Sequence, residues 1–319
     1  MGLFRRGPKR DPRDTPRDPA FEFLSEAEGR MLRSLTREAF AERGLEVTVF
    51  ADHMTDSAQR NYNLYNLAAG CHNDERGSRA WPALIRDHVD KLVRAMDAPS
   101  ALDTLSHDEL RARLFPRVTS DTNLPDDPAF VYAPAPAPGL REVLALDLPE
   151  SVQTLPGDAL SALGDLAELR LRAMNNLRAL PVEEHEVVTH EDGGTFHLLA
   201  GDSFFTASRV LVLDDLVRRI TGKALGPDGA LVAFPFRHVL AFHPITGMDV
   251  VPALNALAGF AAARHEEAPG PVSPYVYWWH RRRLTQLSER VDDGIGITVG
   301  AEFQALLERL LADDTDGTP

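Results

Sequence analysis

Asp202-Ser-Phe-Phe-Thr-Ala-Ser-Arg-Val-Leu211 and Ala230-Leu-Val-Ala-Phe-Pro-Phe-Arg-His-Val-Leu-Ala-Phe-His-Pro-Ile245 decide the fold of this chain. The second stretch holds two apolar runs, Ala230–Phe234 and Val239–Phe242, interrupted at Pro235–Arg237. Short runs of apolar and aromatic residues bounded by turn residues read as strands. Pro235 has no N–H to donate, so it belongs at the junction of the two strands and not inside a sheet. The first stretch leads into Ala207–Ile220, where Val210, Leu213, Leu216, Val217 and Ile220 recur at helical spacing before Gly222 and Gly226-Pro227.

Upstream, Arg141–Leu148 reads as a strand, and Ala145-Leu-Asp-Leu-Pro-Glu-Ser-Val-Gln153 as a strand running into a helix start. Asp158–Leu180 reads as one helix, with Leu160, Leu163, Ala167, Leu171, Met174 and Leu177 three or four apart. Glu186–Glu191 and Thr195–Ala200 flank Asp192-Gly193-Gly194, a hairpin signal because glycine supplies the positive φ of a tight turn. Downstream, Gly247–Arg264 is apolar around most of its circumference and reads as a buried helix. Pro274–Trp279 reads as a strand and Ala301–Leu311 as a last helix. From Asp158 the order is α-β-β-α-β-β-α-β. It predicts an α+β domain, an antiparallel sheet layered with helices on one face, and no Rossmann alternation.

A smaller α/β unit is expected ahead of it. Ser25-Glu-Ala-Glu28 is a capping-box pattern opening a helix to about Arg43, and Gly44 ends that helix. Leu45–Phe50 alternates as a strand, Asn61–Leu67 reads as its partner, and Trp81–Met96 as a helix. Six prolines between Pro116 and Pro138 favour extended backbone and predict a linker. The expected organisation is a disordered basic arm over 1–20, an N-terminal α/β unit over 21–115 and a Pro-rich linker over 116–139. An α+β core over 140–287 follows, then a C-terminal helix and acidic tail over 288–319.

Charge and composition narrow the function. Net charge is −14 and the pI is about 5.2, a surface that repels phosphate backbones, so a general nucleic-acid binder is not expected. No apolar run is long enough for a membrane span, and no apolar segment follows the basic Met-Gly-Leu-Phe-Arg-Arg start as in a secretory signal. A single cysteine, Cys71, fits a reducing cytoplasm. Residues 1–20 hold six Lys/Arg against three Asp, which reads as a solvated tail or as an arm for an acidic partner.

Arg117-Val-Thr-Ser120, Ala145–Gln153, Asn176-Leu177-Arg178, Asp202–Arg209 and Ala230–Phe242 together resemble the YtpQ-like proteins, a bacterial family with no established activity. The resemblance spans about Arg117 to Leu287 and implies a fold without a catalytic residue. It departs after Arg237, where His238 stands in place of an expected acidic residue. Asn66-Leu67-Ala68, Trp81 and His88 resemble a pattern of small actinobacterial proteins. The helix and hairpin order is also similar to secretion-chaperone-like folds, which bind extended peptides.

Among charged residues, Arg209 and Arg237 read either as an anion- or peptide-carboxylate-binding pair or as partners of Asp202 in a structural salt bridge. Arg209 sits in the first turn of its helix, where a cation opposes the dipole. Tyr275-Val-Tyr-Trp-Trp-His280-Arg-Arg-Arg283 is the densest aromatic and basic cluster. Alternation puts Tyr275, Tyr277 and Trp279 on one face and Val276, Trp278 and His280 on the other. One face is then core, and the other is either a partner-binding patch rimmed by Arg281 or a plain edge strand.

His190 and His197 are expected opposite each other across the hairpin, but no third ligand stands at a fixed spacing, so no metal is expected. Ser203 and Ser208 lack a nucleophile-elbow motif, and Cys71-His72 are adjacent and point apart. Gly294–Gly300 and Thr221-Gly222-Lys223 lack phosphate-loop spacing. No cofactor is expected. Two functions stay open: a cytoplasmic, non-enzymatic protein- or peptide-binding adaptor, and a hydrolase-like enzyme with a polar cleft near Asp202, Arg237 and His238.

Overall fold

The computed structural model describes residues 16–124, 126–191, 193–291 and 294–316. Two compact units divide it, Met1–Asp97 and Ala98–Pro319. Residues 1–15 of the expected disordered arm lie outside the described residues. Its last residues are ordered: Arg17 bridges to Ser25, and the buried Asp18 carboxylate takes two bonds of 2.8 Å from Arg33.

In the first unit, the capping box at Ser25 opens α1 (Glu26–Ala41), and both reciprocal bonds with Glu28 are made. After Gly44, at φ 75°, come β1 (Val47–Val49), β2 (His53–Asp56) and β3 (Asn61–Asn63) in an antiparallel sheet ordered β1-β2-β3. Sequence spacing paired the first strand with Asn61–Leu67. The short polar β2 intervenes, and Tyr65–His72 is a helix, α2. Helix α3 (Trp81–Asp97) completes the unit, and Trp81 Nε1 donates to the Cys71 carbonyl at 2.9 Å.

Asp56 is the electrostatic knot of this unit. Burial works against its ionisation, but the Arg60 N–H, the Tyr62 hydroxyl and the Arg60 guanidinium all donate to it and hold its pKa at about 2. A depressed carboxyl stabilises fully above its unfolded value of 3.8, and that stabilisation fades as pH falls toward about 2. Acid titration of this unit followed by far-UV circular dichroism is therefore expected to show a loss over that window that is diminished in Asp56→Asn. Identical acid profiles for the two proteins would contradict it.

In the second unit, α4 (Ala101–Thr104) and α5 (His107–Ala112) lead into β4 (Leu114–Ser120). The division after Asp97 and the burial of Leu110 with Leu144, Leu146, Leu160 and Leu169 assign these helices here, not to an N-terminal unit reaching residue 115. The expected linker over 116–139 likewise begins inside a strand. Strand β4 pairs along its length with β5 (Leu140–Leu148), Pro116 opposite Leu144. Proline is tolerated because β4 is the edge of the sheet β4-β5-β6. Strand β6 (Ser151–Thr154) returns through a two-residue turn, Leu148 facing Ser151. Ala145–Gln153 is thus a hairpin and not a strand entering a helix.

The expected helix over Asp158–Leu180 is two, α6 (Gly157–Leu163) and α7 (Leu166–Ala179). Gly164 at φ 145° breaks it, and the Asp165 side chain caps α7 by accepting from Ala167 and Glu168 N–H groups. Asn176 on α7 donates to the carbonyls of Arg111 and Leu114, tying helix to strand.

Then come β7 (Glu184–Thr189), β8 (Thr195–Ala200), a 3-10 turn over Ala207–Val212 and α8 (Leu213–Thr221). Strands β9 (Ala230–Ala233) and β10 (Val239–Pro244) form the anticipated hairpin. Helix α9 (Val250–Glu267), β11 (Val276–His280) and β12 (Arg283–Gln286) follow. The ribbon of β13 (Ser288–Val291) and β14 (Gly294–Ile297) precedes α10 (Ala301–Asp316). The main sheet is antiparallel in the order β12-β11-β9-β10-β8-β7.

The α+β class holds, but helices cover both faces of this sheet. Leu231, Ala233, Ala241, Val276 and Trp278 face α9 and α10. Ala230, Val232, Leu240, Phe242, Tyr277 and Trp279 face α8 and the 3-10 turn. Strands buried on both faces lose polar alternation, which is why Ala230–Phe234 reads as an unbroken apolar run. Helix α10 is part of this core, with Phe303 1 % exposed.

Candidate functional site

The hairpin β11–β12 turns through Arg281-Arg282, His280 pairing with Arg283. Their φ angles are 49° and 62°. A two-residue hairpin turn of type I′ needs positive φ at both positions, and Asn-Gly or Gly-Gly normally fills it. Each arginine in the left-handed region costs about 1 kcal/mol. Arg281 and Arg283 are exposed, and among the described residues neither makes an ion pair. Arg282 lies 3.9 Å from Asp214.

Between this hairpin and α10 runs a groove of about 960 Å3, the size of a ligand cleft. Trp278 lies at its floor, stacked on His280 at 4.4 Å and meeting Phe303 edge-on at 5.2 Å. Its Nε1 donates to the Asp228 carbonyl at 2.8 Å. Arg283, Thr285 and Arg309 form the rim, with Glu302 and the Asp228 carboxylate, which Arg309 engages. One edge of β12 is hydrogen-bonded to β11, and the other pairs with no strand among the described residues. The opposite edge of the sheet, β7, carries Glu184 and Glu186, while the β12 end carries Arg281, Arg282 and Arg283.

The aromatic patch expected at Tyr277 and Trp279 is not at the surface. Tyr277 is 1 % and Trp279 6 % exposed. The Tyr277 ring stacks on Phe234 at 5.2 Å and its hydroxyl meets Ser273 Oγ at 2.7 Å. Both are core residues, because α8 and the 3-10 turn cover the face that alternation left open. Arg281 does line the groove. Arg283 and Arg309 were not singled out from the sequence. The Arg281–Arg283 run was the available signal for the first, and only the packing of α10 reveals the second.

The second expected cluster disperses in part. Asp202 is exposed and its N–H is bonded to Glu183 Oε2 at 2.5 Å. No ion pair joins it to Arg209 or Arg237 among the described residues. Arg209 is buried and donates to the Pro181 carbonyl, while Arg219 holds Leu180 at 2.8 Å. Arg209 therefore fastens the segment before β7 and is not paired with Arg237. Arg237 and His238 remain together: Arg237 Nε donates to His238 Nε2 at 2.9 Å, and His238 Nδ1 meets the Gly201 carbonyl at 3.1 Å. Both ring nitrogens are thus engaged. Burial, then the Arg237 charge, lowers the imidazole pKa and keeps the ring neutral. An imidazole bound at both nitrogens is poorly placed as a general base.

The other candidates also move. His197 faces Val187, not His190, and its Nδ1 lies 2.9 Å from His185 Nε2 on the diagonal. Among the described residues no three His, Cys, Asp or Glu side chains are grouped to hold a metal. Cys71 is buried, and burial pushes its thiol up to about 12, far from a nucleophile's range. No helix among the described residues is long and apolar enough to cross a membrane. Comparison with protein-family models, curated proteins and solved structures finds no match to this chain.

Proposed function

We propose that this protein is a non-enzymatic adaptor that binds an extended acidic segment of a protein partner along β12. The observation that carries the reading is the β12 edge, which pairs with no strand among the described residues, beside a groove where Arg281 and Arg283 outnumber one unpaired carboxylate, Glu302. An added strand gains main-chain hydrogen bonds along such an edge, and alternate side chains reach the groove. Two arginines kept in a strained turn support a role for their charge, since strain of this kind persists where function needs it. The resemblance to the YtpQ-like bacterial proteins and the single buried thiol of Cys71 support a cytoplasmic setting. The competing reading, a hydrolase-like enzyme at Asp202, Arg237 and His238, has less support because His238 is engaged at both ring nitrogens.

Fluorescence anisotropy with a labelled peptide of alternating Glu and Val, against its Lys–Val counterpart, tests this. The acidic peptide is expected to bind in preference, more weakly as salt rises, and at least about ten-fold more weakly to Arg283→Glu, the energy of one charge-assisted contact. Replacing Arg281 with Asn and Arg282 with Gly is expected to raise stability by about 1–2 kcal/mol while weakening the peptide. Equal binding of both peptides, or an Arg283→Glu variant that binds like the parent, would sink the proposal.

A further inference from the structure

Arg237 has a cationic neighbour that the sequence did not suggest. It comes from β4, where Arg117 stands opposite Val143 between the buried residues Pro116 and Val118. Arg117 Nε is buried without a hydrogen-bond partner, and Arg117 makes no ion pair among the described residues. Arg237 reaches the same region from the β9–β10 turn: the Val118 N–H, next to Arg117, donates to Ser208 Oγ at 2.9 Å, and the neighbouring Ala207 N–H donates to the Arg237 carbonyl at 3.1 Å. Its guanidinium lies 4.2 Å over the Phe204 ring, and Gly270, at φ 72°, packs against its side chain. His238 meets Phe204 edge-on at 5.2 Å and accepts the Arg237 Nε–H, which fixes the plane of the guanidinium. The terminal Nη nitrogens of both arginines bond to no acceptor among the described residues.

Burial, then repulsion from Arg117, pushes the Arg237 pKa down to about 10, and burial alone lowers that of Arg117. Among the described residues no carboxylate offsets either shift. Two half-buried like charges with no carboxylate partner among the described residues oppose folding, and an anion held between them would offset that cost. We propose that Arg117 and Arg237 form an oxyanion site, with Phe204 and His238 orienting Arg237, and that its ligand is a phosphoryl group. Two guanidinium forks match a group bearing about −2 charge and three acceptor oxygens better than a single carboxylate. This site is separate from the β12 groove and stands whether or not that groove binds peptide.

Calorimetric titration of the full chain with inorganic phosphate, at ionic strength held constant with chloride, reads the site directly. Saturable binding is expected, with acetate at least about ten-fold weaker. Arg117→Met is expected to fold at least as stably as the parent, because an unpaired buried charge is replaced by an apolar chain of similar length, and to lose at least ten-fold in phosphate affinity. Arg237→Met is expected to lose as much, while Arg237→Lys, without the bidentate fork, recovers only part. A parent protein that takes up no phosphate would overturn the site. An Arg117→Met variant that is less stable and binds phosphate unchanged would overturn it too, making Arg117 a structural residue.

Discussion

Trp278→Ala is expected to destabilise the second unit by about 3–5 kcal/mol, the range for emptying a buried aromatic site. Trp278 is 4 % exposed and sits where β11, α10 and the loop before β9 meet. Its ring stacks on His280 and receives the edge of Phe303, which anchors α10. Its N–H satisfies the Asp228 carbonyl, whose side chain in turn holds Arg309. Truncation opens a cavity, orphans that carbonyl and loosens the wall of the groove. Trp278→Phe keeps much of the ring and loses the hydrogen bond, so it is expected to cost about 1–2 kcal/mol. Guanidinium unfolding checks both: the midpoint falls in that order while the slope stays constant. A Trp278→Ala unfolding free energy within about 1 kcal/mol of the parent would show that α10 does not pack here.

Gly229→Ala is expected to cost about 3 kcal/mol or more, from a single methyl group. Gly229 is at φ 75°, where an L-residue is strained by about 1–2 kcal/mol. A Cβ there would collide with the Trp279 carbonyl oxygen and lie 3.1 Å from its carbonyl carbon. That obstacle is the backbone of the adjacent strand, which cannot rotate away, so overpacking adds about 1–3 kcal/mol. Gly222 is the internal control. It has φ 72° at the end of α8, but nothing lies within 4 Å of a Cβ built on it. Gly222→Ala is therefore expected to cost only the conformational part, about 1–2 kcal/mol. Thermal unfolding of the two variants separates strain from collision, and equal losses would refute the close approach of β9 to β11.

Where local chemistry decides structure, the sequence was legible. Ser25 and Glu28 close the capping box, Gly44 ends α1, and Pro235 sits between β9 and β10. Gly193-Gly194 lies at the β7–β8 hairpin, but the register there pairs Thr189 with Thr195, so His197 meets His185 and not His190. Period-two reasoning gives the faces of a strand and leaves the register to the turn. Asp158–Leu180 looked continuous because hydrophobic spacing runs through Gly164-Asp165, while the backbone at Gly164 and the cap at Asp165 break it.

The candidate sites were less legible, because each depends on what covers a residue and not on the residue itself. Alternation correctly separated Tyr277 and Trp279 from Trp278, but only the packing of α8 against one face and α9 with α10 against the other buries all three. Arg117 looked like part of a proline-rich linker, and the bonds of Val118 to Ser208 and of Ala207 to Arg237 bring its strand near Arg237, 120 residues away in sequence. The α+β class, the ends of α1 and α3 and the apolar strands could be read from the chain, because caps, turn residues and hydrophobic period act over a few neighbouring residues. Only long-range packing settles that the sheet is covered on both faces and that, among the described residues, β12 keeps a free edge beside α10 and two arginines share one region without a carboxylate. Those outcomes follow from long-range packing, in which the burial of apolar surface selects neighbours that no local pattern encodes.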